Sequence, residues 1–418
     1  MFYELDETSG LSAKIKVIGV GGGGGNAINN MICQNMTGVE FIVANTDAQA
    51  IEKSQAEIRL QLGSEQTRGL GAGAKPQIGK EAAELEKEHL RELLVDTDML
   101  FITAGMGGGT GTGAAPVIAE VAKEMGILSV GIVTKPFAFE GRRRMKQAEE
   151  GIQELHKFID TLIVIPNQKL LGAVSKNTSL MDSFIEADNV LYQAVKGISD
   201  LIANSGYINV DFADVKSVMS EEQSMAMMGT GRASGENRAC EAIEKAISSS
   251  LLEDVNIQGA RSVLINVTGN ESVGLHEVDE AVGTISNLVD EDANIIFGVV
   301  NDPDMGDELS ITVVATGLNH KLSPVVLKEE SKEVVQEVTM PKQTKTSIPH
   351  AKDYAKFEVT KTVRSSSKSN NTVAYDEAEL AIPAYERNQS GARAVVGQAV
   401  AREKDQISIP TWIRKQAD

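Results

Sequence analysis

The chain has 418 residues, 42% of them hydrophobic, enough to bury more than one core and too many for a single compact one. Charge is unevenly placed: residues 1–320 carry 24 Lys and Arg against 46 Asp and Glu, a net of −22, while residues 321–418 carry 16 against 13, a net of +3. A body this acidic repels nucleic acid and anionic lipid, and no apolar run reaches the roughly 18 residues of a membrane-spanning helix, so neither DNA, RNA nor direct membrane insertion is expected.

Residues 1–12 are acidic and polar, unlike a secretory or transit peptide, and read as a flexible N-terminus. Lys14-Ile-Lys-Val-Ile-Gly-Val20 reads as a buried strand, followed by five glycines and a helical stretch from Asn26. Further strand patterns fall at 39–44, 99–104, 128–134 and 161–166, with helical spacing at 77–94, 114–125 and 141–158 between them. This alternation predicts βα units in a mostly parallel, doubly wound sheet. A long helical pattern at about 180–204 leads to a second α/β block. Its helices are expected near 211–219, 235–249 and 275–289, and its strands near 224–230, 261–268, 293–300 and 309–316. Residues 321–405 are rich in Lys, Glu, Ser, Thr and Gln without sustained period, a composition that reads as a disordered linker. The last stretch, 406–418, differs: Ile409, Pro410, Ile413 and Arg414 surround Trp412, the only tryptophan. Such a cluster beyond a linker predicts a docking peptide that orders on a partner. Cys33 and Cys240 lack any metal or disulfide spacing and read as reduced core thiols, which points to a cytoplasmic setting, and no metal ligand set is assigned.

Two glycine-rich motifs carry the chemistry. Gly19-Val-Gly-Gly-Gly-Gly-Gly-Asn26 lies between a strand and a helix, where free N–H groups and the helix dipole favour phosphate. Gly19, Gly21 and Gly24 also satisfy the dinucleotide spacing, with Asp47 placed after the next strand as a ribose acid. That motif alone leaves the nucleotide open. Gly105-Met-Gly-Gly-Gly-Thr-Gly-Thr-Gly113 then follows the strand at 99–104 and opens a helix at Ala114, with Pro116 fitting its first turn. An ordinary dinucleotide domain needs no second cradle, and no P-loop lysine motif occurs. Two such loops suit a triphosphate held mostly by backbone.

Gly107-Gly-Gly-Thr-Gly-Thr-Gly113 resembles the tubulin signature, and the chain is similar to the tubulin/FtsZ family of GTPases. Asn45-Thr-Asp-Ala-Gln-Ala50, Lys135-Pro-Phe137, Phe139-Glu-Gly141, Ile165-Pro-Asn167 and Asn209-Val-Asp-Phe-Ala-Asp-Val215 match in the family's order. The resemblance implies a Rossmann-like GTP-binding domain at 13–178, a central helix at 179–204 and a smaller α/β activation domain at 205–320. Gly22, Gly23, Gly24, Gly25, Asn26, Gly109, Thr110 and Gly111 would hold the phosphates of GTP or GDP, with magnesium ligated through phosphate oxygens and water. Glu140 and Arg144 would face ribose and phosphate, Asp47 would join the nucleotide site, and Asn167, Asp188 and Asn189 would meet the guanine. Asn209, Asp211 and Asp214 would enter the site of the adjacent subunit and hold the attacking water. Read from the residues alone, Asp211 or Asn209 is an N-cap with Asp214 in the first turn, and it is the resemblance that points to hydrolysis instead. The family further implies head-to-tail filaments at the midcell division site beneath the membrane, with adaptors and regulators bound through the terminal peptide.

Overall fold

The computed structural model of the chain describes residues 13–171, 178–204, 206–220, 224–249 and 257–318. The expected N-terminus 1–12, the linker 321–405 and the docking peptide 406–418, with Ile409, Pro410, Trp412, Ile413 and Arg414, lie outside the described residues.

The chain opens with β1 (Ile15–Val20), α1 (Gly21–Cys33), β2 (Glu40–Asn45), α2 (Ala48–Glu52), β3 (Ile58–Gln61) and α3 (Ser64–Thr67). It continues through α4 (Pro76–Leu85), α5 (Lys87–Leu93), β4 (Met99–Gly105), α6 (Thr110–Glu124), β5 (Leu128–Lys135), α7 (Arg142–His156), β6 (Thr161–Pro166) and α8 (Asn167–Leu170). The long helix α9 (Leu180–Ala203) precedes α10 (Phe212–Met219), β7 (Ser224–Ser234), α11 (Arg238–Ile247), β8 (Ser262–Gly269), α12 (Leu275–Ser286), β9 (Asn294–Asn301) and β10 (Glu308–Thr316).

The strands run in the order β3-β2-β1-β4-β5-β6-β7-β10-β8-β9. From β3 to β6 every pairing is parallel. Strands β1, β4 and β5 are buried along nearly their whole length, as strands covered by helices on both faces are. Strand β7 joins two regimes. Its residues Ser224 to Ala226 pair parallel with β6, and from Met227 onward it runs antiparallel to β10. The second block is therefore mixed, with β8 and β9 again parallel.

Helix α9 spans 24 residues, about 36 Å at the usual rise. The Ser179 hydroxyl caps its start by accepting the Asp182 N–H. Val190, Leu191, Ala194, Val195, Ile198 and Leu201 recur at helical spacing on its buried face and join one core with residues of α1, β5, β6 and α10. The helix thus ties the two halves of the sheet together.

Several sequence expectations need correction. Helix α1 begins at Gly21 and not at Asn26, so the glycines form its first turn. Helix α6 likewise begins at Thr110 and not Ala114, which places Pro116 inside the helix and not in its first turn. Pro116 lacks the N–H that would bond to the Thr112 carbonyl, and α6 keeps its course through that gap. The 77–94 pattern is two helices that meet at Glu86, and strand β3 and the short α2 and α3 were not legible. Cys33 and Cys240 are free, but neither is a core thiol: Cys33 ends α1 exposed, and Cys240 is half-exposed on α11.

Candidate nucleotide site

The strand order reverses direction between β1 and β4, and both glycine loops leave the carboxyl ends of these two neighbours. Crevices of that kind are where open α/β sheets take ligands. The loops touch. Gly21 sits at φ +72°, and a Cβ there would lie 2.8 Å from the Gly111 nitrogen, so only glycine lets the first turns of α1 and α6 share one anion cradle. First-turn N–H groups have no partner inside their own helix and point into that space. The residues expected to hold phosphate fall on these turns, Gly22, Gly23, Gly24, Gly25 and Asn26 on α1, where Gly24 packs against Gly19 and the Thr103 oxygen, and Gly109, Thr110 and Gly111 at the start of α6. Within the signature the Thr112 hydroxyl accepts the Gly107 N–H at 2.9 Å and fixes the turn.

A third loop completes the cradle and was missed in the sequence. Residues 68–75 follow β3 with Arg68, Gly69, Gly71, Gly73 and Ala74 all at positive φ. Gly109 packs so closely on this loop that a Cβ would meet Ala72 at 2.8 Å and the Ala74 nitrogen at 3.2 Å. The N–H groups of Ala72, Gly73 and Ala74 have no hydrogen-bond partner among the described residues. Thr46, fully buried, locks the loops together. Its hydroxyl lies 2.6 Å from that of Thr110, and its carbonyl accepts the Gly71 N–H and the Thr67 hydroxyl. The alternating glycines of Gly69-Leu-Gly-Ala-Gly73 just ahead of Pro76 were the available signal.

The remaining predicted residues surround this crevice at strand ends or on α9. Glu140 and Arg144 pair at 2.8 Å after β5, and Glu140 also accepts the Phe137 N–H. Asp47 caps α2, its Oδ1 accepting the Gln49 N–H at 2.9 Å. Asn167 opens α8 at the end of β6; it is 5% exposed, and its Oδ1 has no partner among the described residues. The α9 pair divides its labour. Asn189 Oδ1 accepts amide donors from Asn30 and Gln34 of α1, both at 3.0 Å, and so anchors α9 to α1. The half-buried Asp188 makes no such bond, and burial pushes its carboxyl up to about 7. Phe137 stacks on Phe139 at 5.1 Å and meets Phe184 of α9 edge-on at 5.4 Å, which ties the segment after β5 to α9.

Asn209, Asp211 and Asp214 are not brought into this crevice. They follow the C-terminal end of α9, which lies 15 residues or about 22 Å along the helix beyond Asp188. Asn209 turns back to accept the Gly206 N–H at 2.6 Å. Asp211 occupies the N-cap position of α10, yet its side chain makes no cap bond. Asp211 and Asp214 are exposed, and their carboxylates have no partner among the described residues.

An open α/β sheet whose glycine-rich loops meet at its reversal point, with a long helix leading to a second, mixed block, is the design of the tubulin-type GTPases. The model of the Tubulin/FtsZ family GTPase domain matches residues 14–175, and that of the FtsZ family C-terminal domain matches residues 224–319. The chain is 49% identical to the cell division protein FtsZ of Coxiella burnetii over 415 residues, 99% of both chains. It is also 49% identical to that of Pseudomonas aeruginosa over 418 residues, all of both chains. Among solved structures it resembles an empty FtsZ dimer of M. jannaschii with TM-score 0.70 and 46% identity, covering 73% of this chain and 88% of that one. The chain belongs to the FtsZ family. It binds and hydrolyses GTP, associates with itself and serves cell division. No helix among the described residues is long and apolar enough to cross a membrane.

Proposed function

We propose that the two groups of site residues form one GTPase centre only across a contact between two copies, nucleotide from one and carboxylates from the next. One observation carries this: Asp211 and Asp214 stand exposed and unpartnered at the end of α9 remote from the crevice that they would serve. The exposed apolar side chains suit the same contact. Leu70, Phe139, Leu180 and Met181 lie on the nucleotide side, and Tyr207 and Ile208 follow the other end of α9 beside Val299. Different patches at opposite ends join head to tail, do not close, and give filaments.

Within the centre, the first turns of α1 and α6 and the N–H groups of Ala72, Gly73 and Ala74 bind the phosphates. Arg144, held by Glu140, adds charge, Asp47 borders the ribose, and Asp188 with Asn167 reads the guanine while Asn189 positions Asp188's helix. Asp211 and Asp214 of the neighbour orient and polarise the attacking water, and Asn209 shapes their loop. No side chain of the site is assigned to magnesium, which would come with the triphosphate and would supply positive charge against its phosphates. Residues 13–178 form the GTP-binding domain, 179–204 the central helix and 205–320 the activation domain. The filament lies at midcell in the cytoplasm, and Trp412 with its neighbours in 406–418 binds membrane-tethering and regulatory division proteins.

Complementation tests the shared centre. Asp211→Ala binds GTP but does not hydrolyse it, Thr110→Arg binds GTP poorly, and mixing the two restores turnover at their joint contact. A mixture as inactive as its components, with both shown to co-assemble, overturns the reading.

A further inference from the structure

The helix that carries Asp211 and Asp214 is held at the end away from them. Helix α10 has Asp211 at its N-cap position and Asp214 in its first turn. Its other end is buried, with Val215, Val218 and Met219 closed to solvent. The last carbonyls of a helix find no donor within it, and in a buried turn the protein has to supply one. No backbone N–H among the described residues reaches the Val218 or Met219 oxygen. Two threonine hydroxyls do. Thr161 of β6 donates to the Met219 oxygen. The Thr316 hydroxyl of β10 lies 3.2 Å from the Val218 oxygen and 3.3 Å from the Ser262 oxygen, dividing one proton between them. Both threonines are fully buried.

The two strands belong to different halves of the sheet. Strand β6 closes the parallel run, and β10 lies in the mixed block between β7 and β8. One end of α10 is therefore fastened to both halves at once. Its start has no such fastening: Asp211 makes no cap bond, and Val210 and Phe212 hold by apolar contact, which has no direction of its own. Pinned at one end, the helix is a lever. Its 8 residues span about 12 Å, so a tilt of about 5° at Met219 carries Asp211 by about 1 Å. A misplacement of that size can cost about a hundredfold in rate.

We propose that Thr161 and Thr316 are positioning residues for GTP hydrolysis: by holding the buried end of α10 they aim the carboxylates at its start. They act through the helix alone, and this role rests on the reading of Asp211 and Asp214 given above. Thr161 carries the larger share, since its proton is not divided.

Thr161→Val keeps the shape of the side chain and removes the donor. In assembled full-length protein it lowers phosphate release per subunit about tenfold or more, while GTP affinity stays within about twofold, and Thr161→Ser restores the rate. Thr316→Val, the milder change, costs about threefold and serves the same measurements. Mixtures of full-length variants show which side of the contact is impaired. Thr161→Val is added either to the Thr110→Arg subunit, which supplies only carboxylates, or to the Asp211→Ala subunit, which supplies only nucleotide. The first mixture turns over about tenfold more slowly than the pair without it, and the second matches that pair. Threonine variants that hydrolyse at the normal rate, that lose GTP affinity as much as rate, or that slow both mixtures alike overturn the positioning role. Normal turnover by Asp211→Ala itself overturns the reading beneath it.

Discussion

At one end of α9 the groups proposed to work are main-chain N–H donors, set by glycines that let loops approach within contact distance of one another. At the opposite end they are two carboxylates on the surface, Asp211 and Asp214, with nothing holding them among the described residues. The first arrangement is rigid, and its shape is inseparable from the packing of β1, β4, α1 and α6. The second is loosely fixed until another subunit arrives. On the proposed centre, binding is thus built into the core, whereas bond breaking is left to side chains that the fold does not need. Mutations should separate the two.

The largest separation is expected at Asp211 and Asp214. Replacing either with alanine lowers turnover of assembled protein by about 100- to 10,000-fold, the usual worth of a water-positioning base. GTP affinity and Tm stay near those of the unaltered protein. Phosphate release with parallel filter binding checks this, and a carboxylate variant that cannot bind GTP would erase the distinction between the ends. Gly21→Ala makes the mirror-image case. A side chain at φ +72° that presses on the Gly111 nitrogen strains the cradle by about 2 kcal/mol, and GTP affinity falls about thirtyfold. That variant still presents a sound Asp211 loop, and its ability to activate a neighbour is the second readout.

Asp188 sharpens the comparison through pH. With its carboxyl pushed up to about 7, the nucleotide-free protein carries it mostly protonated at pH 6 and ionised at pH 8. Guanine donors favour the ionised form, so nucleotide affinity rises with pH across that window, by at most about tenfold per unit, and Asp188→Asn flattens the rise. Stability runs the other way. The folded value exceeds the ordinary 3.8, so the stability that protonation lends is complete below about pH 4 and lost as pH climbs to about 7. Asp188→Asn should therefore raise Tm more at pH 8 than at pH 5, and calorimetry at the two pH values decides it. The smallest effect is expected from Thr46→Val, which keeps the carbonyl contacts and removes the hydroxyl that meets Thr110. Loss of that bond costs about 1 kcal/mol, and GTP affinity falls about fivefold, with Thr46→Ser restoring it.

The sheet and the position of both glycine loops were legible because long apolar strands and runs of glycine are local signals. Strand β3 was not, being four residues with Arg59 and Gln61 in it. The helix starts were misplaced for a physical reason: glycine is read as a helix breaker, yet here it forms the first turns of α1 and its neighbours that of α6, where bare N–H donors are required. The loop at 68–75 escaped notice because its donors are backbone and its residues, Ala72 and Ala74 among them, have no chemistry of their own. Cys33 was misjudged since thiols are commonly buried, whereas this one ends its helix in solvent. The division between Asp188 and Asn189 needed three dimensions, because only the structure brings Asn30 and Gln34 of α1 against Asn189.

The length of α9 has an arithmetic consequence. With the two half-centres set at its opposite ends, a row of n subunits contains n − 1 finished centres, whatever n is. A pair works at half the output per subunit of a very long row, and a lone molecule is idle. One terminus always displays a nucleotide that no neighbour has reached, open to exchange and safe from hydrolysis, while the other displays spare carboxylates. The polymer therefore has a sense of direction written into each copy, and its two tips age differently although every subunit is the same.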